Sequence, residues 1–145
     1  MKFDDKFNEL LTAMVEVCLE YVDYDKDEIE MTYVYGCLED FVSFQYFYKI
    51  KGQFVEKHKV NNYTKKKYDT TPDMQQQVLD VGSSNLEAFS ELFKSDGRQI
   101  PTHIKMIYDN QSGAFNSDLS YDNLLGEDLM PEDLIEEWIT TLKND

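Results

Sequence analysis

The chain has 145 residues and carries 29 Asp and Glu against 14 Lys and Arg, a formal charge of −15 at pH 7. That length fits one domain, residues 1–145, with enough core to fold without a metal or a disulfide. A 41% hydrophobic and 14% aromatic content excludes a disordered acidic chain, and the charge disfavours nucleic acid and anionic membranes while attracting basic partners.

Residues 3–22 carry Phe3, Phe7, Leu10, Leu11, Met14, Val15, Cys18 and Val22 at helical spacing, which predicts an amphipathic helix. Asp4 and Asp5 suit its N-terminus. Two runs then alternate, Ile29 to Tyr35 and Val42 to Tyr48, rich in aromatic and β-branched residues. Glu39-Asp40 is the expected turn between them. Lys51-Gly52 is the expected turn into a third strand, Gln53 to Val60. Such short connections predict an antiparallel meander.

Residues 63–71 read as a loop with the basic run Lys65-Lys66-Lys67. A second helix is expected over 73–95, with a break at Gly82-Ser83-Ser84 and a stop at Gly97. Segments 102–109 and 114–121 alternate about Asn110-Gln111-Ser112-Gly113 and predict a hairpin. Pro131, followed by Glu132 and Asp133, opens a last helix with Leu134, Ile135, Trp138 and Leu142 on one face. With no βαβ alternation, the expected class is α+β: one antiparallel sheet, a three-stranded meander plus a C-terminal hairpin, packed with about three helices.

The charge is uneven. Residues 1–48 carry three lysines and twelve acids, residues 49–67 seven lysines and one acid, and residues 68–145 four bases and sixteen acids. A basic stripe from Lys49 to Lys67 thus interrupts an acidic body.

Catalytic and metal motifs are missing from the sequence. Asp23-Tyr24-Asp25-Lys26-Asp27 opens like a calcium loop, but Glu28 stands where its glycine belongs and Val34 where its bidentate glutamate belongs. The segment reads as a solvated turn. His58 and His103 fall in different predicted strands without partners at ligand spacing, and both are expected at the surface. Cys18 and Cys37 sit among apolar residues and are expected as buried free thiols. Tyr33, Tyr35, Tyr46 and Tyr48 are expected to cap a half-buried sheet, or to pair that face with a second copy in a homodimer. No apolar run approaches the roughly 20 residues of a membrane span, so a cytoplasmic chain is expected.

The segment Phe115-Asn116-Ser117-Asp118-Leu119-Ser120-Tyr121-Asp122-Asn123-Leu124-Leu125-Gly126, with its run into a proline-led acidic helix, is similar to the hairpin strand and tail of YezG-like antitoxins. The aromatic hairpin from Glu30 to Tyr48 resembles that family's early strands. Asn123 stands where the family often has an acid. The resemblance implies an immunity protein, not an enzyme, with no cofactor and no metal, that binds a cognate secreted bacterial toxin of the type VII polymorphic class. A basic nuclease toxin fits the acidic charge. The expected contacts are Asp109, Asp118, Asp122, Glu127, Asp128 and Asp133, with Tyr121 as an aromatic anchor. The alternative is an acidic nucleic-acid mimic of the phage anti-restriction type.

Overall fold

The computed structural model describes residues 2–144. In chain order it contains α1 (Phe3–Tyr21), β1 (Met31–Cys37), β2 (Ser43–Ile50), β3 (Gln53–Glu56), a 3₁₀ helix (Lys57–Asn62), α2 (Pro72–Ser95), β4 (His103–Asp109), β5 (Phe115–Ser120) and α3 (Pro131–Lys143). The strands form one sheet in the order β3-β2-β1-β4-β5, and every neighbouring pair is antiparallel. The fold is therefore α+β, a meander and a hairpin joined through β1.

Successive side chains of a strand point to opposite faces, and here both faces of the centre are covered. On one, Val34, Phe44, Tyr46, Tyr48, Ile104 and Met106 pack with Leu11, Met14 and Cys18 of α1 and with Leu86, Phe89 and Phe93 of α2. On the other, Tyr33, Tyr35, Cys37 and Phe47 pack under Leu125, Leu134 and Trp138. The Trp138 indole stands edge-on to Tyr33 at 5.6 Å and to Phe47 at 5.4 Å, an arrangement worth about 1 kcal/mol per pair beyond the area it buries. The four tyrosines are thus inside the sandwich, so they offer no free face for self-pairing. Both thiols are free and buried, as expected.

Local chemistry sets the turns. Ile50 pairs with Gln53, and Lys51 and Gly52 both have positive φ, 52° and 74°. That is the two-residue hairpin geometry that a glycine favours.

Three expectations need correction. The third strand ends at Glu56, not Val60. The chain then coils into the 3₁₀ helix, which buries Val60 completely and lets the Tyr21 hydroxyl donate to the Lys57 carbonyl at 3.0 Å. Helix α2 runs unbroken through Gly82, because the Phe44 ring fills the space where a side chain would begin; this close packing outweighs the propensity cost of glycine, about 1 kcal/mol. His103 is buried, not superficial, while His58 is exposed but lies in the 3₁₀ helix.

Candidate functional site

The strand order separates the charges. The lysines of 49–67 sit on the end of β2, the β2–β3 turn, the 3₁₀ helix and the following loop, at the β3 edge. Four strand spacings away, about 19 Å, lies β5. Between Lys105 and Lys143 the chain has no lysine or arginine but nine acids. The lysine run thus lies at one sheet edge and Asp118 and Asp122 at the other, while α3 packs over β1 and β2 and sets Glu132 against Gln45, beside Lys57.

The basic side is partly compensated. Lys66 pairs with Asp23 at 3.7 Å, and the Glu28 carboxylate accepts from the backbone N–H of Lys65 and Lys66 at 2.7 and 3.0 Å. Asp25 accepts from Asp27 and Glu28 N–H and from the Tyr68 hydroxyl. The loop that mimics a calcium site is therefore a clasp for the basic loop. Among the described residues, no group of three or more His, Cys, Asp or Glu is placed to hold a metal ion.

Beyond Asp96 the acids are not ion-paired among the described residues. The ion pairs among those residues are Lys6–Glu9, His58–Glu56, Lys66–Asp23, Arg98–Asp96 and His103–Glu39. Of the acids singled out in the sequence, Asp118 is exposed on β5 opposite Lys105, whose ammonium lies 5.3 Å from the Trp138 ring. Asp122, Glu127 and Asp128 are exposed in the segment joining β5 to α3, and Tyr121 is exposed beside them.

The other two carboxylates have local duties. Asp109 accepts from Gln111 and Ser112 N–H at 2.9 and 3.1 Å, and these bonds hold its carboxyl below the usual aspartate value. Asp133 accepts from Met130 N–H at 2.9 Å and closes the first turn of α3. Asp109 also stands at the opposite end of the hairpin from Asp122, about 20 Å along the strand. Asp118 thus lies on β5 with Tyr121 and Asp122 just beyond it, Glu127 and Asp128 follow in the connection that leads to α3, and Asp109 stands apart.

Sequence reasoning missed two features. The first is apolar: Leu124, Leu129 and Met130 are exposed in the same connection as Asp122, Glu127 and Asp128, Met130 by 56%, and Phe115 is exposed at the turn end of β5 on the α1 face. Phe115 also borders a groove of about 300 Å³ with Val15, Leu19, Tyr24 and Tyr108. Aliphatic residues inside a glycine- and acid-rich connection were the available signal.

The second is a buried polar chain at the end of the sheet. The Glu39 carboxylate accepts from His103 Nε2 at 2.8 Å and from Leu124 and Leu125 N–H at 3.1 and 3.2 Å. An ionised carboxylate only accepts, so Nε2 donates to it, and the Tyr35 hydroxyl and Nδ1 are hydrogen-bonded at 2.5 Å. Burial pushes the Tyr35 hydroxyl up, with Cys37 and Glu39 adding to it, so the phenol keeps its proton. Burial alone would raise Glu39, but the bonds from His103, Leu125 and Leu124 outweigh it and hold the carboxyl below its ordinary value. His103 is only 1% exposed. Surface depressions lie between α1 and α2, along α1, beside Lys57, by the 24–28 loop and under Phe115. With His103 buried and the Glu39 carboxylate engaged by three donors, the geometry is that of a clamp holding residues 124–125 to the sheet.

No protein-family model matches the chain, and no curated protein sequence matches it. No helix among the described residues is long and apolar enough to cross a membrane.

Proposed function

We propose that the chain is an immunity-type protein that binds and neutralises a basic protein toxin, with YezG-like antitoxins as the family its C-terminal segment resembles. The observation that carries this reading is the run of exposed carboxylates on β5 and in the segment after it, Asp118, Asp122, Glu127 and Asp128, none of them in an ion pair among the described residues. Such a run of negative charge attracts an approaching basic protein and accelerates its encounter. A nuclease toxin is basic where it holds phosphate, and carboxylates covering that surface exclude the substrate. The reading needs no reaction by this chain.

The exposed Tyr121, Leu124, Leu129 and Met130, in the same connection as Asp122, Glu127 and Asp128, favour a protein interface, in which apolar anchors lie inside a charged rim, over a nucleic-acid mimic, whose carboxylates need only repeat the phosphate spacing. Isolation of the bound protein from the native host identifies the partner. Its affinity for the chain carrying Asp118→Lys, Asp122→Lys and Asp128→Lys together is then measured at several salt concentrations. We expect weaker binding, mainly through slower association, and a shallower salt dependence. Unchanged affinity and unchanged salt dependence reject the reading.

A further inference from the structure

We propose that the free edge of β5 is a strand-addition site for an extended basic segment of that protein partner; this rests on the basic-partner reading above and specifies its mode. The Asp109 N–H donates to the Ala114 carbonyl at 2.8 Å, so these residues form a hydrogen-bonded pair. Alternation along the antiparallel ladder makes Ile107–Asn116 and Lys105–Asp118 hydrogen-bonded pairs too. The backbone N–H and C=O of Phe115, Ser117 and Leu119 consequently point to the open edge.

Natural sheets guard such edges with short strands, lysines, prolines or bulges. The β3 edge obeys this rule: it is four residues long, is flanked by Lys51 and Lys57, and passes at once into the 3₁₀ helix. The β5 edge is six residues long, contains neither lysine nor proline, and is exposed from Phe115 to Asp118.

The two faces of the added strand meet different surfaces. Residues 115, 117 and 119 share the α1 side with Met106 and Tyr108, where Phe115 borders the apolar groove. Residues 116, 118 and 120 share the opposite face, where Asp118 stands, with Asp122 just beyond. The complementary strand alternates apolar residues on the α1 side with lysine or arginine on the α3 side. A second copy of this chain is a poor occupant, because antiparallel self-pairing about Ser117 sets the two copies of Asp118 as diagonal neighbours on one face of the new ladder.

The probe is the blocked peptide Lys-Val-Lys-Val-Lys-Val-Lys, titrated into the full chain labelled with ¹⁵N. Strand addition shifts the amides of Phe115, Ser117 and Leu119 and slows their hydrogen exchange, leaving Asn116 and Asp118 protected as before. Ser117→Pro removes an outward N–H without touching the ladder to β4 and weakens binding about fivefold or more, whereas Ser117→Ala leaves it unchanged. Slowed exchange in the unaltered chain serves as the test should the proline variant disturb the fold. The proposal is overturned by equal binding to Ser117→Pro in a folded chain, by shifts without slowed exchange at the three amides, or by no binding at about 1 mM peptide. If charge reversal at Asp118 and Asp122 weakens the toxin complex while Ser117→Pro does not, strand addition fails and the immunity reading survives.

Discussion

Glu39 and His103, 64 residues apart in the chain, meet at 2.8 Å and pin the backbone of Leu124 and Leu125 to the sheet. One carboxylate oxygen therefore ties together the β1–β2 connection, the start of β4 and the segment that carries the exposed acids. Any surface built on residues 121–130 takes its shape from this contact.

Glu39→Gln should destabilise the chain by about 2 kcal/mol at pH 7, because charge-assisted bonds to three donors weaken in a buried setting. The carboxyl titrates lower in the folded chain than in the unfolded one. Its contribution is thus complete above the ordinary glutamate value, about 4.3, and disappears as the pH falls through the lower folded value. Urea melts at pH 7 and near pH 3 should show the two variants converging in acid. A difference that persists in acid would mean that Glu39 acts by shape, not charge.

The whole-molecule charge predicts a stability maximum below neutrality. Acidification from pH 7 relieves self-repulsion among 29 acids. Further acidification protonates carboxyls that the folded state holds low, Glu39, Asp25 and Asp109 among them. Thermal midpoints should rise from pH 7 to about 5 and fall below about 4. Added salt should raise the midpoint at pH 7 by screening. A flat or falling midpoint between pH 7 and 5 would contradict this account.

Gly82→Ala should destabilise α2 even though alanine is the better helix former. The propensity gain is about 1 kcal/mol, but the new methyl collides with the Phe44 ring, and overpacking costs about 1–3 kcal/mol. Pairing it with Phe44→Leu should recover part of the loss. Additive effects in that double-mutant cycle would exclude the proposed contact.

Tyr46→Phe should be neutral or stabilising by up to about 1 kcal/mol. The Tyr46 hydroxyl is buried without a hydrogen-bond partner among the described residues, and burial pushes it far above the usual phenol value. The ring's contacts with Tyr21 and with the Lys57 ammonium, 5.2 Å from its centroid, survive the change. A marked loss in chemical denaturation would show that the hydroxyl is solvated.

The helices and hairpins were legible because their signals are local. The period of α1, the Lys51-Gly52 turn and Pro131 ahead of Glu132 and Asp133 each lie within a few residues of what they determine. The strand order was not legible, since β4 could pair with β1 or β3 on pattern alone. Choosing β1 left β5 exposed and buried β1 on both faces. His103 was misread for the same reason: its partner Glu39 is distant in sequence, and a histidine between polar neighbours resembles a surface residue until that partner is placed. Gly82 signalled a break because its compensation, the Phe44 ring, comes from another element. Of the candidate surface, the acids were legible by number; the caps that occupy Asp109 and Asp133, and the apolar residues among the rest, emerged only from the fold.

Because β1 lies in the middle of the sheet, its two neighbours reach it at different times during synthesis. β2 follows within a few residues, but Tyr35 waits 68 residues for His103 and Thr32 waits 78 for Asn110. Until then a nascent chain on the ribosome holds an aromatic, β-prone strand with one side unsatisfied. Chains that stall or are clipped before residue 100 should therefore be sticky, and the host's folding machinery meets its main task in that interval.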